Sequence, residues 1–289
     1  MNRPRATVRL AWLVWYLNAD EGVVDEIFDI ACRIEQVATQ RGGHLRVAAL
    51  QLLAYANEMM GNVAFDRLHF PAAHGYFQEM HDLGRELNDS DIVSLAMIHQ
   101  GDVARRRGRY DGAVGYLEAA EPFARGGCLQ TRGLRWQTLA RSHYDFGNRP
   151  GFSRSIDSAL AIGAQLLGHQ EVGNNDFTYQ DVCFEQALGL ALFGEGQQAV
   201  EIYERPEHRT AVRPLRDRGS FTILRAQAYA YAGEIEEGVR LAIEGVALAR
   251  SYDSPRHVSR VQRMYDRLRA APTCDKAALR DLRDALRAR

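Results

Sequence analysis

Lysine is nearly missing from this chain. Of 36 basic residues, Lys276 is the single lysine and the rest are arginine. That bias is what a GC-rich genome produces, and it points to a high-GC bacterial source. Net charge is also missing: the formal sum is -1, which excludes a general nucleic-acid binder, since such proteins carry a marked basic excess. Cysteine is sparse. Cys32, Cys128, Cys183 and Cys274 lie far apart with no C-x-x-C pair, which excludes a disulfide scaffold and a zinc site and fits a reducing cytosol. Cys32 and Cys183 fall on apolar helical stripes, as small core residues do. No apolar run approaches the roughly 18 residues of a membrane span. Arg3, Arg5 and Arg9 before Leu10–Leu17 imitate an exported leader, but Trp12, Trp15 and Tyr16 interrupt that run and a helical pattern resumes at Val23. The expected location is therefore cytoplasmic, with no membrane partner.

Catalytic signatures are absent as well. There is no glycine-rich loop following a strand, no Ser-His-Asp order and no standout pair of carboxylates. His69, His74 and His81 cluster, and His74 and His81 share a helical face. A metal site would want a further ligand one turn away, yet only Gln78 is so placed. The chain is read as a non-enzyme with no cofactor and no metal. Charge is uneven: from Arg250 to Arg289 there are eleven Lys or Arg against five Asp or Glu. Both a solvated terminal helix pair and a basic docking surface fit that excess.

What is present is helical periodicity that repeats. Between Leu95 and Phe123, Met97, Gly101 and Ala104 share one helical face. Gly108-Arg109-Tyr110 breaks the helix, and Ala113, Leu117 and Ala120 form the facing stripe of a second one. Small residues at Gly101 and Ala113 let the two backbones approach. Four other stretches align on this frame, with turns at Leu68, Gly147, Gly194 and Gly233. Counting Gly108, the spacings are 40, 39, 47 and 39. These residues resemble the tetratricopeptide repeat, which pairs a large residue with a small one four positions on, then a turn glycine, then A-x3-F. Met97, Ala104 and Leu117 depart from it where Trp, Tyr and Phe are usual. A plain all-α bundle without true repeats is the alternative.

The resemblance implies an all-α fold: a right-handed superhelical array of antiparallel helix pairs, a solenoid occupying 1–289 as one domain. Residues 1–44 supply N-terminal helices, 45–250 five helix-pair repeats and 251–289 capping helices. The expected early helices are Thr7–Asn18 and Val23–Gln40, the latter burying Val23, Ile27, Ile30, Ile34 and Val37. Pro71 opens one helix at its first turn, Asn88–Asp91 is a cap-rich break, Ser220 caps the fifth first-helix and Ser254-Pro255 starts another. Glu204–Arg218 reads as an irregular charged link, and a last helix starts from Asp275. The longer third interval leaves about eight surplus residues, 47 less 39, near Gly168–Asp176. Their composition says loop; a tolerated surface insertion and a binding loop both fit.

In proteins that look like this, the first helix of each pair lines a concave ligand surface. Carried over by position, that surface takes Glu58, Asn62, Phe65 and Asp66 from the first repeat. The second gives Asp102, Arg105 and Arg106; the third gives Gln137, Arg141, Tyr144 and Asp145; the fourth gives Phe184. Charged and apolar residues together suit a peptide. Intrahelical pairs such as Asp102 with Arg105, or Arg141 with Asp145, account for part of that charge.

Gly61–Asp66 with Tyr76-Phe77, Arg218-Gly219, Gly233–Glu237 and Leu248–Arg250 also resemble the tetratricopeptide sensor regions of high-GC Gram-positive helix-turn-helix regulators. No helix-turn-helix stretch is found in the roughly 44 residues before the repeats. The leading expectation is a non-catalytic scaffold that binds a peptide or protein partner and no specific nucleic acid, with a homodimer left open. Two alternatives stand: the effector-sensing part of a transcription regulator acting through another chain or domain, and a helical-cavity enzyme of unknown chemistry.

Overall fold

The computed structural model describes residues 29–36, 40, 42–167, 177–209, 213–271 and 277–288. Among them the chain is helical throughout, with no strand. The helices are α1 (Gly43–Asp66), α2 (Phe70–Glu86), α3 (Ser90–Arg106), α4 (Tyr110–Ala119), α5 (Glu121–Gly126), α6 (Leu129–Phe146) and α7 (Arg149–Gln165). They continue as α8 (Tyr179–Leu192), α9 (Gly196–Tyr203), α10 (Pro206–Arg209), α11 (Leu215–Tyr231), α12 (Ile235–Ser251), α13 (Pro255–Ala270) and α14 (Ala278–Arg287). A further helical stretch covers 29–36. The chain divides into two compact units, one ending at Tyr179 and one running from Gln180 to Arg289.

One backbone device ends the first helix of every aligned pair. Leu68, Gly108, Gly147, Gly194 and Gly233 all have positive φ, at 62°, 74°, 79°, 89° and 95°. Each is followed by a residue whose N–H reaches back five positions to a helix carbonyl. The bonds are His69 to Ala64 (2.8 Å), Arg109 to Ala104 (2.9 Å), Asn148 to His143 (2.8 Å), Glu195 to Leu190 (2.8 Å) and Glu234 to Tyr229 (3.0 Å). The left-handed residue's own N–H bonds three back, as Gly108 does to Arg105 (3.0 Å). This is the Schellman closure, which satisfies the last carbonyls of a helix and reverses the chain. It recurs at Asn88 and Asp253, both with positive φ, through Asp89 to Gly84 and Ser254 to Ala249, each 2.9 Å.

Helix starts follow from side-chain chemistry. Asp89 Oδ1 accepts from the N–H groups of Asp91 (3.0 Å) and Ile92 (3.2 Å), Asn148 Oδ1 from Gly151 (3.0 Å), and Ser254 Oγ from His257 (3.3 Å). Pro71, Pro150 and Pro255 sit in first turns, where a missing N–H costs nothing. Several starts differ from the sequence reading. The second pair begins at Ser90, a full turn before Leu95, because the Asp89 cap sets it. Its partner helix breaks at Ala120 into α4 and α5, where Pro122 has no N–H to continue the ladder. The fifth first-helix starts at Leu215 rather than at a Ser220 cap, and Ser220 lies inside α11. The charged link before it contains the short α10. Gly168–Asp176, the N-terminal helices before residue 29 and the start of the last helix near Asp275 lie outside the described residues.

Within the first unit, α1 packs on α2, α2 on α3, α3 on α4 and α6, and α6 on α7. Small residues set the approach. A Cβ at Gly61 would fall 2.4 Å from the Phe77 ring, and one at Gly101 would meet Leu117 at 3.1 Å and the Ala113 carbonyl at 3.3 Å. Ala73, Ala113, Leu117 and Phe77 are fully buried in these seams. The second unit builds its core from α11, α12, α13 and α14, with Ile223, Val246, Tyr252, Met264 and Leu282 at its centre. A Cβ at Gly245 would meet Ile223 at 2.5 Å. Cys183 is buried as expected, but Cys32 is exposed. It lies about 100° around the helix from Ala31, the buried residue of that stretch.

Two glycines of one pair make the role of the left-handed turn testable. Gly108→Ala puts a Cβ at φ 74° and should destabilise by about 1–2 kcal/mol. Gly115→Ala lies in α4 with nothing within 4 Å of the added carbon and should stabilise by about 0.5–1 kcal/mol. Urea unfolding of both variants gives the two signs directly.

Candidate functional site

In the first unit the first helices of successive pairs, α1, α3 and α6, lie side by side, so positions one repeat apart meet. Two polar contacts mark this period: Glu58 Oε1 lies 3.3 Å from His99 Nε2, 41 residues on, and Arg105 pairs with Asp145, 40 residues on.

The densest polar group joins α3 to α6. Arg105 Nε donates to Asp102 Oδ1 at 2.7 Å on its own helix, while Nη1 donates to Asp145 across the gap. The Arg105 side chain is only 10% exposed. Burial opposes its charge, but Asp102, Asp145 and the nearby Tyr144 outweigh burial and hold the guanidinium protonated well above its ordinary range. The two carboxylates thus staple neighbouring helices through one cation. Tyr144 is buried edge-on to Phe152, ring centres 6.1 Å apart. Arg106 and Arg141 are half-buried, with their Nε atoms out of reach of water.

Nearer the α1 end, Glu58 and Asp66 are both 2% exposed. Asn62 Nδ2 donates to the Glu58 carbonyl at 2.9 Å, and Phe65 packs edge-on against Phe70 at 6.0 Å. The His99 ring that faces Glu58 is stacked on Phe77 with centres 4.7 Å apart. Gln137, on α6, is completely buried, and neither its Oε1 nor its Nε2 has a hydrogen-bond partner among the described residues. The structure therefore brings Asp102, Arg105, Tyr144 and Asp145 into one group, sets Glu58 against His99, and leaves Gln137 with its amide unmatched.

Phe184 belongs to the second unit and is described there by itself. Its ring stacks on Tyr203 (5.4 Å), meets Phe221 (4.8 Å) and His208 (5.0 Å), and lies under the Arg213 guanidinium (5.4 Å). Tyr203 Oη donates to the Phe184 carbonyl at 2.8 Å, and Arg213 Nη2 to the His208 carbonyl at 2.7 Å. Burial lowers the Arg213 pKa. The residues supplied by the apparent link, His208 and Arg213, are thus the ones that close over Phe184. Composition hid them, because their aromatic partners sit on three other helices.

Sequence reading also missed His99 and Arg135. His99 stands one repeat and one residue beyond Glu58, so a strict period passes it over. Arg135 is 3% exposed, donates from Nε to the Leu117 carbonyl at 2.6 Å, and reaches Glu121 at 3.3 Å. Burial lowers its pKa, and Glu121 only partly opposes this. His143 packs in the seam between α6 and α7, where a Cβ at Gly151 would fall 2.7 Å from its Nδ1. Burial, then Arg154, pushes its pKa below the ordinary imidazole value.

No protein-family model matches the chain, and no curated protein matches it.

Two outcomes follow from these charges. Asp145→Ala leaves Arg105 one carboxylate and should cost about 1–2 kcal/mol. Adding Asp102→Ala strands a nearly buried cation and should raise the loss to about 3–5 kcal/mol, read by urea unfolding. His143 behaves as a pH probe. Its depressed folded pKa means the unfolded chain takes the proton first. Its contribution is complete above about pH 6.5 and lost as pH falls below that value. The melting temperature should drop between pH 7.5 and 5.5 by an amount that His143→Gln reduces.

Proposed function

We propose that this chain is a non-catalytic tetratricopeptide-like scaffold that binds a peptide or protein partner along the shared face of its first helices. The observation that carries this reading is the burial of charge on α1 and α3, the first helices of two successive pairs. Glu58 and Asp66 on α1 and Arg105 on α3 are nearly withdrawn from water. Charged groups are seldom buried unless paired, and a buried pair is often no more stabilising than apolar residues of equal size. Residues kept at that cost fit a recognition surface. The recurrent turn and the cross-repeat contacts at 40 and 41 residues support the repeat architecture such a surface needs.

The surface suits an extended segment with an acidic group. Arg106 follows Arg105 on α3 and Arg141 lies one turn before Asp145 on α6, and a ligand carboxylate that both reached would be held by charge-assisted bonds of about 1.5–3 kcal/mol each. The test is capture of peptides from a random library, with affinities measured by fluorescence anisotropy. Arg141→Ala should weaken the tightest acidic peptides about tenfold or more without changing the helical circular-dichroism signal. Equal affinity in wild type, Arg141→Ala and Arg105→Ala would remove the site from these helices.

A further inference from the structure

We propose that the row of arginines along α13, formed by Arg256, Arg260, Arg263 and Arg267, is a docking surface for an extended acidic peptide segment. It belongs to the second unit and stands apart from the first-unit surface proposed above.

The row follows from spacing. Its members are four, three and four positions apart, which puts them on one helical face. At about 1.5 Å per residue the row is about 16 Å long. Arg256 and Arg260 are half-buried, and Arg263 and Arg267 are exposed. Like charges one turn apart repel, so a row of this kind costs the helix that carries it. The neighbouring helix α11 packs against α13 and meets the row with neutral groups. Arg260 Nε donates to Gln227 Oε1 at 2.9 Å, and the Arg267 guanidinium lies over the Tyr231 ring, 4.9 Å from its centre. Both contacts orient a guanidinium and cancel none of its charge. Neither Arg260 nor Arg267 meets a carboxylate among the described residues.

The acids of these two helices lie off the row. There are two, Asp217 and Asp266, against eight arginines, three on α11 and five on α13. Asp266 stands about 100° around the helix from Arg267. Its Oδ1 accepts from Gln262 Nε2 at 3.2 Å and sits 4.0 Å from Arg269. Asp217 acts on Arg213 and precedes Gln227 by ten residues.

Charge selects an anionic partner, and width selects its form. The row is one side chain wide, as is a single extended chain. At about 3.3 Å per residue, about five residues cover it, with alternate side chains facing it. Carboxylates at those positions would each meet a planar guanidinium fork. A nucleic-acid duplex asks for a broad basic surface, and the whole chain has a formal charge of -1. A single strand asks for open aromatic faces on which bases stack, whereas the Tyr231 ring beside the row already carries Arg267.

The test is fluorescence anisotropy on the full chain with a labelled octapeptide that alternates Glu and Ser. The comparison probes are its Gln-for-Glu counterpart and an oligothymidylate of equal length. Arg260→Gln with Arg267→Gln should weaken the acidic octapeptide about tenfold or more, since two charge-assisted contacts go. The pair Arg269→Gln and Arg280→Gln removes the same charge off the row and should leave affinity within about twofold, because exposed charges at a distance are screened. Arg141→Ala in the first unit should leave it unchanged, and the Gln counterpart should not bind. Equal weakening by the two double variants would reduce the attraction to net charge and overturn the proposal. So would an equal loss in Arg141→Ala, which places the peptide on the first unit. Tighter binding of the oligothymidylate assigns the row to nucleic acid, and no binding of the acidic octapeptide removes the site; each overturns the proposal and leaves the first-unit reading untouched. Should the first double variant not fold, Arg263→Gln at its exposed position carries the test, and unchanged affinity there overturns the proposal.

Discussion

The structure depends on one local event: a residue accepts the left-handed conformation, and the chain reverses with the helix carbonyls satisfied. Everything larger follows from where that happens. Between Leu68, Asn88 and Gly108 the interval is 20 residues each time, as it is between Gly233 and Asp253. A constant interval gives helices of constant length, and constant length brings matching faces together. Glycine makes the reversal free of strain at four of the five within-pair turns. Leu68, Asn88 and Asp253 adopt it with a Cβ and are held there by the packing on either side. The reversal sets the pairing, and packing in turn enforces the reversal where the residue resists it.

That division explains what could be read from the sequence. The turn at Gly108 announces itself, since glycine after a small-residue stripe has few other uses. Leu68 was legible only because it falls on the same interval. Ala113 and Gly101 were legible because a seam this close admits nothing larger. Helix starts were harder: Asp89 governs one from outside the apolar pattern, and Pro122 divides a stripe that periodicity alone treats as continuous. The charged residues were easy to place on a face but hard to pair. Asp102 and Arg105 sit three apart, yet the second carboxylate on Arg105 comes from 40 residues away. Phe184 was identified as an apolar anchor, while its covering residues, His208 and Arg213, lie in a stretch whose composition says only loop. Cys32 shows the limit of stripe reading, because one residue's shift around a short helix moves a side chain from core to water.

The buried polar groups separate into two kinds. Arg135, Arg216 and Tyr203 each satisfy a carbonyl inside the fold and serve its packing. Glu58 and Arg105 instead meet side chains one repeat on, His99 and Asp145, and join one helix pair to the next.

The Arg105 staple has a kinetic consequence. It ties α3 to α6 by a charge that neither helix can release alone, because separating them exposes a cation still bound to Asp102 and strips Asp145 of its partner. Helix pairs joined only by apolar seams can fray singly, from an end inward. The second and third pairs are instead coupled into one cooperative opening event. Their amide hydrogens should exchange with solvent together, at a common rate, and the boundaries of that block would fall at the reversals rather than at the helix gaps.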